Sequence, residues 1–218
     1  MTKIIGIDDA GRGPVIGPMV LAGILIDTNE YNELKSFGAR DSKMLSRNQR
    51  LRIKDKIENR FDSHIVISIP KEIDDSTNLN YLEAQKAAEI INTLTGKIKE
   101  SVKVIIDCPS VNIPSWANDV KKLLKKQKEI NLICEHKADE NHPIVSAASI
   151  LAKEKREEEL DKLRIKHDAD FGSGYPSDPK TKEFIKENFK NEKYKEIIRF
   201  SWNTIKRLQK EESQEKLF

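Results

Sequence analysis

The stretch of sequence that decides the fold covers residues 3 to 14 and reads Lys3-Ile4-Ile5-Gly6-Ile7-Asp8-Asp9-Ala10-Gly11-Arg12-Gly13-Pro14. Its apolar first half is typical of a buried β-strand. Two adjacent carboxylates at the end of such a strand repel each other and lose hydration, so they need a positive partner. Asp8 and Asp9 are therefore candidate ligands of a divalent metal ion.

The composition of the 218-residue chain fits one large domain, or a domain with an appendage. A hydrophobic content of 37% is enough for a core, and a net charge of +3 is too small to identify a polyanionic partner. Cys108 and Cys134 lack the close spacing of a zinc site, so we expect both to be core residues. Because the sequence contains neither a long apolar span nor a signal-peptide pattern, we expect a soluble cytoplasmic protein without a membrane partner.

Strands alternate with helices along the chain, which predicts an α/β fold. The predicted strands are short and apolar and cover residues 3–9, 19–26, 64–69, 102–107 and 130–134. The first two strands are expected to form a hairpin with a wide loop. The predicted helices begin at caps or prolines and run from Ser46 to Arg60, from Asn80 to Leu94, from Pro114 to Lys128 and onward from Pro143. Two charged helices are expected after a Gly/Ser/Pro loop at residues 171–179.

Acidic residues recur at the ends of three predicted strands or in the loops after them, namely Asp8, Asp9, Asp107 and Asp139. Ligands of open α/β sheets gather at the carboxyl ends of strands, so these four carboxylates could share one cleft. Such oxygen ligands suit Mg²⁺ or Mn²⁺ rather than zinc. For Asp107 and Asp139, a simple helix-cap or turn role is the alternative interpretation.

The glycine-rich loop at residues 11–13 has competing interpretations. A strand followed by such a loop resembles the start of a dinucleotide-binding fingerprint, but the next glycine is Gly17, and Pro14 and Pro18 interrupt the helix that should follow. The glycines could instead let backbone N–H groups approach a sugar or phosphate closely, with Arg12 adding a positive charge. A tight hairpin turn is the third interpretation.

Several sequence blocks, in the right order, resemble the type 2 ribonucleases H (ribonuclease HII) in their archaeal form. Residues 8–14 resemble the family signature D-E-A-G-R-G-P, with Asp9 in place of its glutamate, and residues 41–45 resemble its D-S-K-x-L block. Four further blocks resemble its L-N-x-x-E, K-A-D…A-K, tyrosine-loop and R-x-S-W segments and lie at residues 78–83, 137–153, 172–179 and 199–202. The resemblance therefore extends over almost the whole chain.

The resemblance implies a ribonuclease H-like fold, with a mixed sheet flanked by helices and a helical C-terminal part. We expect a catalytic domain at residues 1–167, followed by the tyrosine loop and C-terminal helical region at residues 168–218. The implied activity is metal-dependent endonucleolytic cleavage of RNA paired with DNA, and cleavage 5′ of a single ribonucleotide embedded in duplex DNA. The products would carry 3′-hydroxyl and 5′-phosphate ends, which suits ribonucleotide excision in DNA replication and repair.

The resemblance also implies roles for individual residues. Two Mg²⁺ or Mn²⁺ ions would be held during catalysis by Asp8, Asp9, Asp107 and Asp139. Substrate binding is implied for Gly11, Arg12, Gly13, Ser42, Lys43 and Tyr175. The loop backbone and Tyr175 would recognise the ribose and its 2′-hydroxyl, and Ser42 and Lys43 would face phosphates. Taken from the residues alone, a packing role is the favoured interpretation of Tyr175. For Ser42 and Lys43, a solvated turn is an equally good interpretation.

The departures from the family pattern leave a rival interpretation, a non-catalytic nucleic-acid-binding module that keeps the fold. All four candidate ligand positions are acidic, which favours an enzyme. Asp9 is one methylene shorter than glutamate, so the metal preference could shift towards Mn²⁺. His142, which precedes Pro143, is expected to be catalytically inert.

The C-terminal residues Gln214 to Phe218 resemble a truncated sliding-clamp peptide that lacks its aromatic pair. A frayed, charged terminus is therefore the favoured interpretation, and clamp binding is the alternative. The family resemblance also suggests a monomer.

Overall fold

The computed structural model describes residues 2–39, 45–125 and 129–215, and its elements follow the predicted α/β alternation. The strands are β1 (Lys3–Ala10), β2 (Met19–Asp27), β3 (Asp62–Ser68), β4 (Val102–Asp107) and β5 (Ile130–Glu135). The first helices are α1 (Tyr31–Ser36), α2 (Arg47–Arg60), α3 (Pro70–Asp75), α4 (Leu79–Leu94) and α5 (Ile113–Leu123). The later helices are α6 (Ala138–Asn141), α7 (Pro143–His167), α8 (Pro179–Asn188) and α9 (Asn203–Glu215).

The five strands form one mixed sheet in the order β3-β2-β1-β4-β5. β1 and β2 are antiparallel, with Ala10 opposite Val20, which confirms the predicted hairpin. β1 pairs in parallel with β4, and β4 pairs in parallel with β5. The carboxyl ends of β1, β4 and β5 therefore lie at the same edge of the sheet.

Most predicted elements are confirmed, and the differences concern short or locally capped segments. The sequence analysis missed α1, α3 and α6, which are six, six and four residues long and therefore too short to show a helical hydrophobic period. Helix α4 begins earlier than predicted because the Asn78 side chain accepts a hydrogen bond from the Asn80 N–H at 2.9 Å.

Helix α5 ends at Leu123, before the predicted end at Lys128, which lies outside the described residues. The Asn92 side chain stops this helix, since it donates to the Leu123 carbonyl at 3.0 Å and accepts from the Lys125 N–H at 2.9 Å. These bonds satisfy backbone groups that helix ends leave without a partner.

The chain divides into two compact units. The first comprises Met1–Ala10, Val20–Val66 and Asn78–Lys155 and contains most of the sheet. The second comprises Gly11–Met19, Ile67–Thr77 and Arg156–Phe218. Its core includes the aromatic residues Phe171, Phe184 and Tyr194, whose successive ring centroids lie 5.9 and 4.8 Å apart. The domain division expected near residue 167 stays a prediction.

Two remaining sequence expectations concern cysteines and membranes. Cys108 is buried and Cys134 is half-buried, and both are free thiols. Over the ranges that the structure describes, no helix is long and apolar enough to cross a membrane.

Gly6 in the centre of β1 allows the start of helix α7 to pack directly on the sheet. A Cβ atom at this position would lie 2.6 Å from the Ile144 carbonyl carbon and 2.8 Å from the Val145 nitrogen. Both atoms belong to the backbone, so they cannot move aside as a flexible side chain would. The glycine is therefore required by the packing of α7 on β1.

We expect Gly6→Ala to lower the free energy of unfolding by about 1–3 kcal/mol, because the added methyl group would push α7 away from β1. Urea denaturation of the metal-free protein measures this change. Gly96→Ala is the matched control, since a Cβ there would meet its nearest atoms at 3.5 Å, an ordinary contact distance. Equal destabilisation by the two variants would contradict this account of Gly6.

Candidate active site

The strand register brings Asp8 and Asp107 to the same level of the sheet. Ile7 of β1 is paired with Ile106 of β4, so the next residues along the two parallel strands are Asp8 and Asp107. Asp8, Asp9 and Asp107 line one small cavity together with Glu83 and Trp116. Its volume is about 10 Å³, which is room for roughly one water molecule.

Asp139 is the predicted ligand that does not line this cavity. It lies on α6 and lines a separate cavity of about 320 Å³, together with Lys35 and Ser146. The structure thus brings three of the four predicted acids together and places the fourth on an adjacent turn.

Asp107 connects the acid cluster to the turn that carries Asp139. Its Oδ1 atom accepts a hydrogen bond from the Ala138 N–H, the first residue of α6, at 3.0 Å. The residue before, Lys137, has a φ of 58° in the left-handed region, which few residues other than glycine adopt. His142 closes the same segment, since its Nε2 lies 2.7 Å from Glu135 Oε1 at the end of β5.

The electrostatics of Asp8 indicate an excess of negative charge. Asp8 is only 5% exposed. Burial raises the pKa of its carboxyl well above the ordinary value, and the charges of Asp9 and Asp107 raise it further. The Ser149 hydroxyl and the Asp9 N–H, which lies 2.8 Å from Asp8 Oδ1, act in the opposite direction on the pKa. A nearby cation would stabilise the ionised form.

The residues present fit a hard divalent cation in chemistry and charge, because every candidate ligand offers carboxylate oxygens. In the described part of the chain, however, no three His, Cys, Asp or Glu side chains converge into a group that could hold a metal ion. Ion binding would therefore have to draw the carboxylates closer together.

Sequence reasoning gave no site role to Glu83 and Ser149, which are both 1% exposed. Glu83 lies on α4 and lines the acid cavity. A signal for it was present in the sequence, since Glu83 is four residues before Ala87 and so falls on the apolar face of the helix. Ser149 had no such signal, because its proximity to Asp8 depends on how α7 packs on the sheet.

The glycine loop and the tyrosine loop meet within the second unit. Gly11 has a φ of +84°, and a Cβ there would lie 2.3 Å from Arg156 Nε. Gly13 is exposed, and its missing Cβ would lie 3.7 Å from the Tyr175 ring. Tyr175 is 40% exposed. The loop therefore presents open backbone beside an accessible aromatic ring.

Arg156 contacts the tyrosine loop through the Tyr175 ring and the backbone of Ser173. Its guanidinium lies 5.4 Å from the centroid of the Tyr175 ring and donates to the Ser173 carbonyl at 3.2 Å. Arg156 is 4% exposed, and burial lowers the pKa of its guanidinium. Stacking on the ring offsets part of the desolvation cost. Arg12 is half-buried, and the predicted contacts Ser42 and Lys43 lie outside the described residues.

The dinucleotide-binding interpretation of the glycine loop is wrong for this fold. That fingerprint requires a strand followed by a helix whose N-terminus faces the pyrophosphate. Here the loop connects β1 to the antiparallel strand β2. The loop is therefore part of a wide hairpin connection.

We expect Asp8→Asn to stabilise the metal-free protein at neutral pH, because it removes a buried charge that faces two others. A folded-state pKa above the unfolded value means that the native state holds more protons than the unfolded state. Stability therefore falls as pH rises above the unfolded pKa, and this part of the pH dependence should disappear in the variant. Thermal unfolding in EDTA at several pH values measures both effects.

Adding Mg²⁺ or Mn²⁺ should then raise the melting temperature of the unmodified protein more than that of Asp8→Asn. Asp62→Asn, at an exposed position on β3, is the control and should behave like the unmodified protein. A lower metal-free stability of Asp8→Asn would show that Asp8 is stabilising rather than repelled.

Comparison with known proteins gives a consistent result over nearly the whole chain. The model of the family described as Ribonuclease HII matches residues 5–205. A ribonuclease HII of Pyrococcus furiosus is 41% identical over 210 residues, which cover 95% of this chain and 91% of the relative.

Two solved structures also match nearly the whole chain. The ribonuclease H2 of Pyrococcus horikoshii OT3 has a TM-score of 0.84 and 40% identity, and the match covers 96% of this chain and 98% of that one. The Archaeoglobus fulgidus protein, solved as a PCNA:RNase HII complex, has a TM-score of 0.81 and 33% identity, with 94% and 96% of the two chains covered. These similarities agree with the ribonuclease H-like fold expected from the sequence.

Proposed function

Because this chain belongs to the ribonuclease HII family, it is a metal-dependent ribonuclease H, and we propose that it also cleaves 5′ of single ribonucleotides embedded in duplex DNA. Cleavage would leave 3′-hydroxyl and 5′-phosphate ends. Asp8, Asp9, Asp107 and Asp139 would hold two ions, Mg²⁺ or Mn²⁺. We also propose that the protein acts as a monomer in the cytoplasm and takes part in ribonucleotide excision.

The observation that supports the metal site most directly is the crowding of carboxylates around Asp8. Burial and the charges of Asp9 and Asp107 raise the pKa of Asp8, so the ionised cluster is unfavourable without a cation. A phosphodiester is itself an anion and would be repelled by the bare acids. When bound, divalent ions supply Lewis acidity that activates a water molecule and stabilises the departing oxygen.

The residues of the chain contribute the arrangement of the acids. Paired strands hold Asp8 and Asp107 at the same level, and the bond from the Ala138 N–H to Asp107 holds the turn that carries Asp139. The Ser149 hydroxyl beside Asp8 favours its ionised form. The first two contacts hold the carboxylates in place, and the third favours the charged form of Asp8.

Recognition of RNA requires a group that detects the 2′-hydroxyl, which is both a donor and an acceptor of hydrogen bonds. We assign this role to the loop backbone at Gly11, Arg12 and Gly13, with the Tyr175 ring packing on the ribose. The exposed Gly13 lets a sugar approach the main chain, and Arg156 fixes the ring beside it. Ser42 and Lys43 would bind phosphates.

Cleavage of three end-labelled duplexes tests the proposal: all DNA, an RNA/DNA hybrid, and DNA with one embedded ribonucleotide. We expect cuts only in strands that contain ribonucleotides, and a single cut 5′ of the embedded ribonucleotide. Asp107→Asn should lower the rate about a hundredfold, because it removes a ligand charge, while its amide oxygen can still accept the Ala138 N–H that begins α6.

Asp55→Asn, an exposed change on α2, is the control and should retain activity. An uncut single-ribonucleotide duplex, with the hybrid cut normally, would limit the activity to hybrids. Retained binding without cutting by the unmodified protein would favour the rival interpretation, a nucleic-acid-binding module. The salt dependence of duplex binding cannot distinguish an enzyme from a binding module, since both would contact phosphates.

We expect Asp9→Glu to shift the ratio of the Mg²⁺-supported rate to the Mn²⁺-supported rate severalfold towards Mg²⁺. The longer side chain would reach an ion without backbone movement, and Mg²⁺ tolerates imperfect geometry less well than larger ions. Single-turnover cleavage at saturating concentrations of each metal measures the ratio. An unchanged ratio would show that the shorter aspartate does not set metal preference.

A sliding clamp is a second candidate partner, because the Archaeoglobus fulgidus relative was solved in complex with PCNA. In this chain the corresponding prediction rests on Gln214 to Phe218, of which residues 216–218 lie outside the described residues. The truncated motif favours a charged terminus over a clamp peptide.

A further inference from the structure

The segment that resembles the R-x-S-W block holds the glycine loop by its carbonyl groups. Arg199 is completely buried, and its guanidinium donates to the Gly17, Arg12 and Gly11 carbonyls at 2.9, 2.9 and 2.7 Å. The indole N–H of Trp202 donates to the Gly13 carbonyl at 2.9 Å. The Arg199 guanidinium also lies 4.8 Å from the centroid of the Trp202 ring.

Only an arginine fits this set of contacts. A buried charge is expensive unless its donors are satisfied, and the planar guanidinium presents several N–H groups in a fixed fork. The three carbonyls accept from three different nitrogens of that fork. A lysine ammonium, as a compact point charge, cannot reach all three carbonyls at once.

These bonds determine which way the N–H groups of the loop point. In a trans peptide unit the carbonyl and the N–H point in opposite directions, and the described residues contain no cis peptide bond. Fixing the Gly11 and Arg12 carbonyls on Arg199 therefore directs the N–H groups of Arg12 and Gly13 away from it. The unit after Gly13 ends in Pro14, which has no N–H.

We propose that Arg199 and Trp202 are positioning residues that hold the N–H groups of Arg12 and Gly13 in the orientation needed to read the ribose. This inference rests on the proposed function of the loop. It assigns to the C-terminal segment a part in substrate specificity through the loop backbone, without contact between its own side chains and the substrate.

The same segment has an independent anchor, which separates this role from general support of the fold. Asp74 accepts hydrogen bonds from the Phe200 N–H at 2.6 Å and from the Ser201 N–H at 2.9 Å. Asp74→Asn should therefore loosen the segment without removing a bond to a loop carbonyl. It is the matched control for Arg199→Lys and Trp202→Phe.

The test compares the KM of a single-ribonucleotide duplex with the inhibition constant of the same duplex made entirely of DNA. We expect Arg199→Lys to raise that KM about tenfold and Trp202→Phe about threefold, with smaller changes in kcat and in the inhibition constant of the DNA duplex. Asp74→Asn should leave the ratio of the two constants unchanged. Thermal unfolding of each variant records any loss of stability.

Each other result overturns the inference in a distinguishable way. If the unmodified protein does not prefer the ribonucleotide duplex, the proposed function is wrong and the inference falls with it. If it does, but Arg199→Lys and Trp202→Phe keep the preference, only the inference is wrong. If Asp74→Asn also loses the preference, Arg199 and Trp202 are merely structural. Should Arg199→Lys fail to fold, Trp202→Phe, which keeps an aromatic ring beside Arg199, decides alone.

Discussion

The repulsion between buried carboxylates at the shared end of β1 and β4 is the constraint on which the candidate active site depends. The backbone pairing of Ile7 with Ile106 keeps Asp8 and Asp107 at the same level, so they cannot separate while the strands stay paired. Burial and the two neighbouring charges raise the pKa of Asp8. A proton or a cation at this edge of the sheet would relieve the repulsion. The paired strands therefore maintain a concentration of negative charge that suits a cation.

The packing of α7 on β1 and the charges around Asp8 depend on each other. The missing side chain of Gly6 lets the start of α7 contact β1, and the same helix carries Ser149 to Asp8. Asp107 has two functions, since it contributes charge to the cluster and accepts the Ala138 N–H that begins α6. The acids are therefore not independent, because a change at Asp107 alters both the charge around Asp8 and the support of Asp139.

Local sequence patterns predicted those structural features that are determined by residues close together in the chain. Short sequence segments are enough to predict the alternation of strands and helices, the β1–β2 hairpin and the acids at strand ends. The short helix α6 was missed because it is only four residues long and its first N–H is bound by Asp107, 31 residues away. The contacts of Arg199 with the glycine loop join residues up to 188 positions apart, so they depend on the folded chain. The sequence blocks showed that the segment at residues 199–202 resembles the family, and its physical role became visible only in the hydrogen bonds.

The hydrogen bonds from Arg199 and Trp202 to the glycine loop have a physical reason in the missing side chains of its glycines. A backbone position that packs closely against another group, as Gly11 does against Arg156, cannot carry a side chain. The same absence leaves Gly11 and Gly13 without side chains that could fix the local conformation, and glycine loses more conformational freedom on folding than other residues. Hydrogen bonds to its carbonyls compensate for this, since carbonyls are present whatever the residue. The more closely such a loop must approach its ligand, the more its order has to come from residues distant in sequence.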